Sequence, residues 1–222
     1  MKLNDTQIQK AMIILIRLTL VFAILGSAVN FRWSLLFGSS VILVLTFVPF
    51  FFEKRYDIQL PIEFESIIIL FIYASLFLGE VHSYYTTFWW WDIFLHTGSG
   101  IALGFAGFLI MYTLQKSGKI EAHPIWIAIF AFSFGVAFGA VWEIFEFSMD
   151  QIFGYNMQNS GLVDTMWDLI VDSIGALIVC VSGYFYLKGD KVPVFTNLIT
   201  NYEKENQSIV KKNSRVRVKK KK

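Results

Sequence analysis

The sequence predicts an all-α protein that crosses a membrane about six times. Three observations carry this expectation. Hydrophobic residues make up 55% of the chain and charged residues only 16%, a balance outside the usual range for soluble domains of this length. The apolar residues gather into six runs, each near the ~20 residues needed to cross ~30 Å of hydrocarbon. Aromatic residues cluster, as in Phe88-Trp89-Trp90-Trp91, in the manner of the Trp and Tyr belt at a membrane interface.

The first run spans residues 11–29, after Lys2 and Lys10, and is interrupted only by Arg17. Its length and that arginine favour an uncleaved helix over a signal peptide. A second run covers 33–52 and is closed by Glu53-Lys54-Arg55, and Pro61 opens a third that reaches about Gly79. The fourth runs from about Asp92 to Leu114, with Lys116 and Lys119 after it. Pro124 stands at the first turn of the fifth, where a missing N–H costs little, and this run continues to about Phe147. The sixth covers about Thr165 to Leu187. Residues 1–190 therefore read as one six-helix transmembrane domain, with an acidic and histidine-bearing core in 80–188. Residues 191–222 read as a basic, disordered tail holding Lys211, Lys212, Arg215, Arg217 and Lys219 to Lys222. The single cysteine, Cys180, allows no intramolecular disulfide and no cysteine metal site.

Orientation follows from the basic residues. With both termini cytoplasmic, the inside carries Lys2, Lys10, Lys54, Arg55, Lys116, Lys119, Lys188, Lys191 and the tail, whereas the outer loops hold only Arg32. The tail then faces the anionic inner leaflet, and no folded basic surface supports a nucleic-acid partner. In this topology Glu80, His82, Asp92, His96, Glu143, Glu146, Asp150, Asp164, Asp168 and Asp172 fall on the outer side or in the outer half of the membrane. Arg32 alone cannot neutralise these carboxylates, so protons, water, a bound metal or a cationic ligand must.

Asp92 and His96 lie at i and i+4, sharing one helix face. They can bind one divalent ion or form an Asp-oriented imidazole. Asp92 alone also suits an N-cap, which His96, a turn deeper, does not. Glu143 and Glu146, at i and i+3, lie near the expected end of the fifth helix, where the macrodipole disfavours negative charge. Ionisable groups held among residues such as Trp142, Ile144, Phe145 and Phe147 are functional candidates, while Asp150 reads as a solvated helix end. Asp164, Asp168 and Asp172 form an acidic stripe entering the sixth helix. A capping role suits Asp164, but Asp172 lies roughly 12 Å further along at 1.5 Å per residue, beyond any terminal effect. Gly100 and Gly104, Gly135 and Gly139, and Gly175 permit close helix packing. His82 reads as an exposed loop histidine and His123 as lying outside the cluster.

In order, Asp92-Ile93-Phe94-Leu95-His96 with Gly100, Trp142-Glu143-Ile144-Phe145-Glu146, and Asp164-Thr165-Met166-Trp167-Asp168-Leu169 with Asp172 and Gly175 resemble the YjdF-type family of bacterial inner-membrane proteins. The resemblance covers about residues 60–188. It implies the bacterial cytoplasmic membrane and groups these residues without implying a reaction. A weaker likeness links the last three spans to VanZ-like envelope proteins, which tend to have Gln in place of Glu146 and Asn in place of Asp172.

The resulting expectation is an outward-facing site between the last three helices that binds a divalent metal. Its ligands are Asp92, His96, Glu143, Glu146 and Asp172, with Asp168 as ligand or partner. Mn, Mg, Zn and non-haem Fe all suit oxygen-rich coordination with one imidazole. Glu143, Glu146 and Asp168 are the candidate catalytic residues for chemistry on an envelope lipid or isoprenoid phosphate. Two other readings use the same acids: a proton- or cation-coupled transporter, and a scaffold held together by protonated carboxylates. No nucleophile motif, phosphate loop or dinucleotide fingerprint is present.

Overall fold

A computed structural model describes residues 4–56 and 59–207. It contains α1 (Asp5–Val29), α2 (Trp33–Leu45), α3 (Val48–Tyr56), α4 (Ile62–Ile72) continued by a π-helical segment (Tyr73–Val81), α5 (Tyr84–Thr87), α6 (Trp91–Lys116), α7 (Pro124–Phe153), α8 (Leu162–Lys188) and α9 (Pro193–Glu205). No strand occurs among the described residues. Six stretches are long and apolar enough to cross a membrane: Thr6–Val29, Trp33–Arg55, Ile62–Val81, Trp91–Lys116, Pro124–Phe153 and Leu162–Lys188. The protein is an all-α, multi-pass membrane protein, and each expected run coincides with one of these stretches to within a few residues at its ends.

The chain divides into two compact units. One comprises residues up to Trp91 together with Lys204–Asn206, and the other extends from Asp92 to Glu203. In the first, Ile13, Ile16 and Leu20 present one face of α1 and pack with Ile42, Ile69 and Phe77. The second span is broken rather than continuous. Pro49 has no N–H to offer the preceding turn, so α2 stops at Leu45 and α3 starts at Val48. The intramembrane Arg17 serves this break: its Nε donates to Thr46 Oγ1 at 3.2 Å and Nη2 to the Thr46 carbonyl at 2.9 Å. Its guanidinium also lies 4.2 Å from the Phe47 ring centroid. The one charge in the first run thus satisfies a carbonyl that the broken helix leaves open. The π-helical end of the third span brings the Tyr85 ring over Gly79, whose Cα approaches too closely for any Cβ. His82 is exposed, and its Nδ1–H donates to the Phe77 carbonyl at 2.9 Å.

In the second unit α6, α7 and α8 pack through glycines. A Cβ on Gly100 would strike the Asp172 backbone, one on Gly175 the Thr97 carbonyl, and one on Gly135 would lie 2.8 Å from Ala176 Cβ. These are the close backbone approaches that small residues permit in a membrane. The helices run further than the apolar runs suggest. α7 continues to Phe153 because Asp150 receives the Met157 and Gln158 amides at 2.7 and 2.9 Å, tying the following loop to the helix. Gly154, at φ 69°, then ends it in the left-handed region. Glu143 is therefore ten residues, about 15 Å at 1.5 Å per residue, from the helix terminus. The expected macrodipole conflict does not arise.

Residues 191–222 are not a tail from their first residue. α9 occupies Pro193–Glu205, with Phe195, Ile199 and Tyr202 buried. Phe195 packs on Phe105 and Phe108 with centroids 5.0 and 4.8 Å away. Glu203 accepts from Tyr112 Oη at 2.6 Å and pairs with Lys116 Nζ at 3.0 Å. Three apolar positions at helical spacing anchor this stretch, a pattern that the basic residues beyond it obscure. Lys211, Lys212, Arg215, Arg217 and Lys219 to Lys222 lie outside the described residues.

Candidate functional site

Three antiparallel helices bring their acidic segments to one end of the second unit. α6 supplies Asp92 and His96 from its first turns, α7 supplies Glu143 and Glu146, and α8 supplies Asp164, Asp168 and Asp172. The glycine contacts set the depth, because Gly100 and Gly139 allow the Asp172 backbone and carboxylate to approach both neighbouring helices.

His96 is the hub. Its Nδ1 lies 3.3 Å from Asp172 Oδ2 and its Nε2 lies 3.6 Å from Asp92 Oδ1. Asp172 is 1% exposed. Its Oδ1 is 2.7 Å from Ser99 Oγ, which is also 2.7 Å from the His96 carbonyl, so the one hydroxyl proton serves either acceptor. Asp172 and Ser99 thereby fix the imidazole from behind and leave Nε2 facing Asp92. Ligand atoms of Asp92, His96 and Asp168 lie within 4.8 Å of one another, close enough to share one ion.

The remaining acids surround this group. Glu143 is 3% exposed, and neither of its carboxylate oxygens has a hydrogen-bond partner. The Thr165 hydroxyl is the nearby candidate donor to Glu143, outside the geometry that would pair them, and accepts from Gln158 Nε2 at 2.5 Å. His96, Asp172 and Asp164 are the charged neighbours of Glu143. Glu146 is buried, accepts from Trp142 Nε1 at 3.0 Å through Oε1, and has Glu143, His96 and Asp92 as charged neighbours. Asp168 is 3% exposed with Oδ2 unpartnered. Asp164 accepts the Asn159 amide at 3.1 Å at the start of α8, and Asp150 holds the α7–α8 loop. Among the described residues no Lys or Arg forms an ion pair with Asp92, Glu143, Glu146, Asp168 or Asp172.

All six candidate residues therefore fall in one region, with different positions within it. Ligand atoms of Asp92, His96 and Asp168 lie together, Asp172 contacts the other ring nitrogen of His96, and Glu143 and Glu146 lie on α7, outside that group of three. Sequence reasoning missed Ser99 and the Trp142 indole as a donor. The i, i+4 spacing of Trp142 and Glu146 was the available signal for the latter. Gly139 reads in the sequence as a packing residue, but it adjoins the Asp172 carboxylate itself.

A family model described as a predicted membrane protein, DUF2238, matches residues 8–189. A protein of Thermotoga maritima described as uncharacterized is 26% identical over 175 residues, 78% of this chain and 87% of that protein. No solved structure matches.

Proposed function

We propose, from the premise that the chain belongs to the DUF2238 family of predicted membrane proteins, that its α6–α8 site holds a divalent metal at the membrane boundary. Asp92, His96 through Nε2, and Asp168 are the ligands. The observation that carries this is their convergence within 4.8 Å beside Glu143, whose two oxygens are buried without a partner. Burying a carboxylate without a compensating partner is costly, and a cation beside it offsets that cost. One imidazole with carboxylates suits Mn, Mg, Zn or Fe(II). Asp172 is read as a positioning residue, since a metal-binding His commonly donates its other ring N–H to a carboxylate.

A bound ion supplies Lewis acidity toward a phosphoryl oxygen or water. Glu143 and Glu146 are then the groups available to accept or return a proton. The substrate class in this reading is a lipid or isoprenoid phosphate that reaches the site from the bilayer. The position of the acids at the ends of apolar helices supports it. The Lys and Arg distribution supports an outward-facing site with both termini cytoplasmic. The YjdF-type resemblance of the same motifs is compatible with this reading.

The test is metal content after purification in mild detergent, followed by phosphate release from liposomes carrying isoprenoid diphosphate. Wild type should retain metal and His96→Ala with Asp168→Asn should not. Equal metal in both proteins refutes the site. Metal loss without any phosphate release, from wild type on such liposomes, refutes the substrate class.

A further inference from the structure

We infer that the lipid-facing surface where α1 meets α3 binds the headgroup of an anionic phospholipid, with Arg17 as its anchoring cation. This site lies within the first unit and is independent of the metal reading above.

Register places the site. α1 and α2 are joined by residues 30–32 alone, which makes them an antiparallel hairpin. Arg17 lies 12 residues before Val29 and Thr46 lies 13 after Trp33, so the hydrogen bonds between them join points about equally far from that turn. Away from the turn, Lys10 precedes Arg17 by two helical turns on the same face of α1, about 10 Å at 1.5 Å per residue. Lys54 follows Thr46 by eight residues, about 12 Å by the same rise. Both lysines are exposed and stand at one membrane edge, with Arg17 below them in the hydrocarbon of the same leaflet.

Charge and exposure identify the occupant. The bonds to Thr46 engage two of the five guanidinium N–H donors, and both acceptors are neutral. Among the described residues no Asp or Glu pairs with Arg17, so a full positive charge stays uncompensated within the span, where it is costly. Arg17 is half-buried, whereas Thr46 is fully buried. Ile14 and Leu18 on α1, Phe47 beside the guanidinium and Phe50 on α3 are all exposed. An anion from water must cross that apolar surface to reach Arg17. A phospholipid meets both requirements: its acyl chains cover the apolar side chains and its phosphate is drawn toward the guanidinium, with Lys10 and Lys54 at headgroup level. Basic pockets between transmembrane helices bind anionic headgroups in this way, and the planar guanidinium suits a phosphate.

The test is native mass spectrometry of the full-length protein from micelles holding equal phosphatidylglycerol and phosphatidylcholine with matched chains. Wild type should retain phosphatidylglycerol in preference to phosphatidylcholine. Arg17→Met should abolish the preference, and Lys10→Gln should lower it about fivefold, the worth of one basic residue at a membrane surface. Thr46→Val removes the hydroxyl acceptor but leaves the charge, and should keep the preference, which separates lipid capture from support of the helix break. Equal retention of the two lipids by wild type overturns the site, as does a preference undiminished in Arg17→Met. Displacement of the lipid by millimolar inorganic phosphate overturns the lipid as occupant in favour of a free anion. Should Arg17→Met fail to fold, judged by helical circular dichroism and elution, the wild-type competition and the Lys10→Gln loss decide.

Discussion

His96 and Asp172, on different helices, face each other at 3.3 Å from Nδ1 to Oδ2, and Asp172 is among the most buried side chains in the protein. This pair separates the acids into those that orient the imidazole and those that share its free nitrogen. Asp172→Asn should lower metal affinity by about 10–100-fold while leaving the ligands in place. Ser99→Ala should weaken binding less, because His96 keeps its carboxylate. Competition against a metal-binding dye measures both, and unchanged affinity in Asp172→Asn would remove its positioning role.

Gly100 and Gly139 determine whether that pair can form. A Cβ at Gly139 meets the Asp172 carboxylate and one at Gly100 meets the Asp172 backbone. Gly100→Ala and Gly139→Ala should each destabilise the folded protein by about 1–3 kcal/mol, as overpacking does. Thermal unfolding in detergent checks this. Gly139→Ala should also weaken metal binding, whereas Gly98→Ala, with open space around it, should change neither.

Arg17 and Thr46 hold the break between α2 and α3. Arg17→Met preserves the length and apolar contact of the side chain but removes both hydrogen bonds. Bonds to a charged donor are worth about 1.5–3 kcal/mol, so faster amide hydrogen exchange is expected around Thr46 to Phe50, read by mass spectrometry. Unchanged exchange there would show that the break is held by other contacts.

α9 should dock in a pH-dependent way. Burial raises the Glu203 carboxyl, but hydrogen bonds from Tyr112 and Lys116 and the lysine's charge outweigh it and hold it below the ordinary glutamate value. A depressed folded value means stabilisation that is present above the unfolded value and lost as pH falls through the folded one. Proteolysis or hydrogen exchange of Pro193–Glu205 should therefore accelerate on acidification through and below the glutamate range. Glu203→Gln should show the faster exchange already at neutral pH and flatten the dependence.

Most of the fold was legible in the sequence because hydrocarbon enforces a simple rule: apolar runs of sufficient length become helices with all backbone bonds internal. The six runs were visible for that reason. Helix ends were not, because polar termini carry no such constraint. α7 passes through Glu146 and Asp150 to Phe153, and α8 begins at Leu162 before Asp164. α9 was hidden by a basic sequence beyond it, although Phe195, Ile199 and Tyr202 lie at helical spacing. At the site, period and spacing could group His96, Glu143, Glu146, Asp168 and Asp172 but could not rank them. The rank depends on which carboxylate reaches Nδ1, and that is set by glycine contacts between helices distant in sequence. Ser99 shows the same limit, since its hydroxyl matters only once Asp172 is beside it.

Anomalous diffraction from crystals grown with Mn(II) or Zn(II) tests directly whether Asp92, His96 and Asp168 share an ion. An anomalous peak is expected within about 2.0–2.2 Å of His96 Nε2 and in coordination range of Asp92 and Asp168. Absence of any peak among α6, α7 and α8, or a peak bound through Asp172 with His96 turned away, would contradict it.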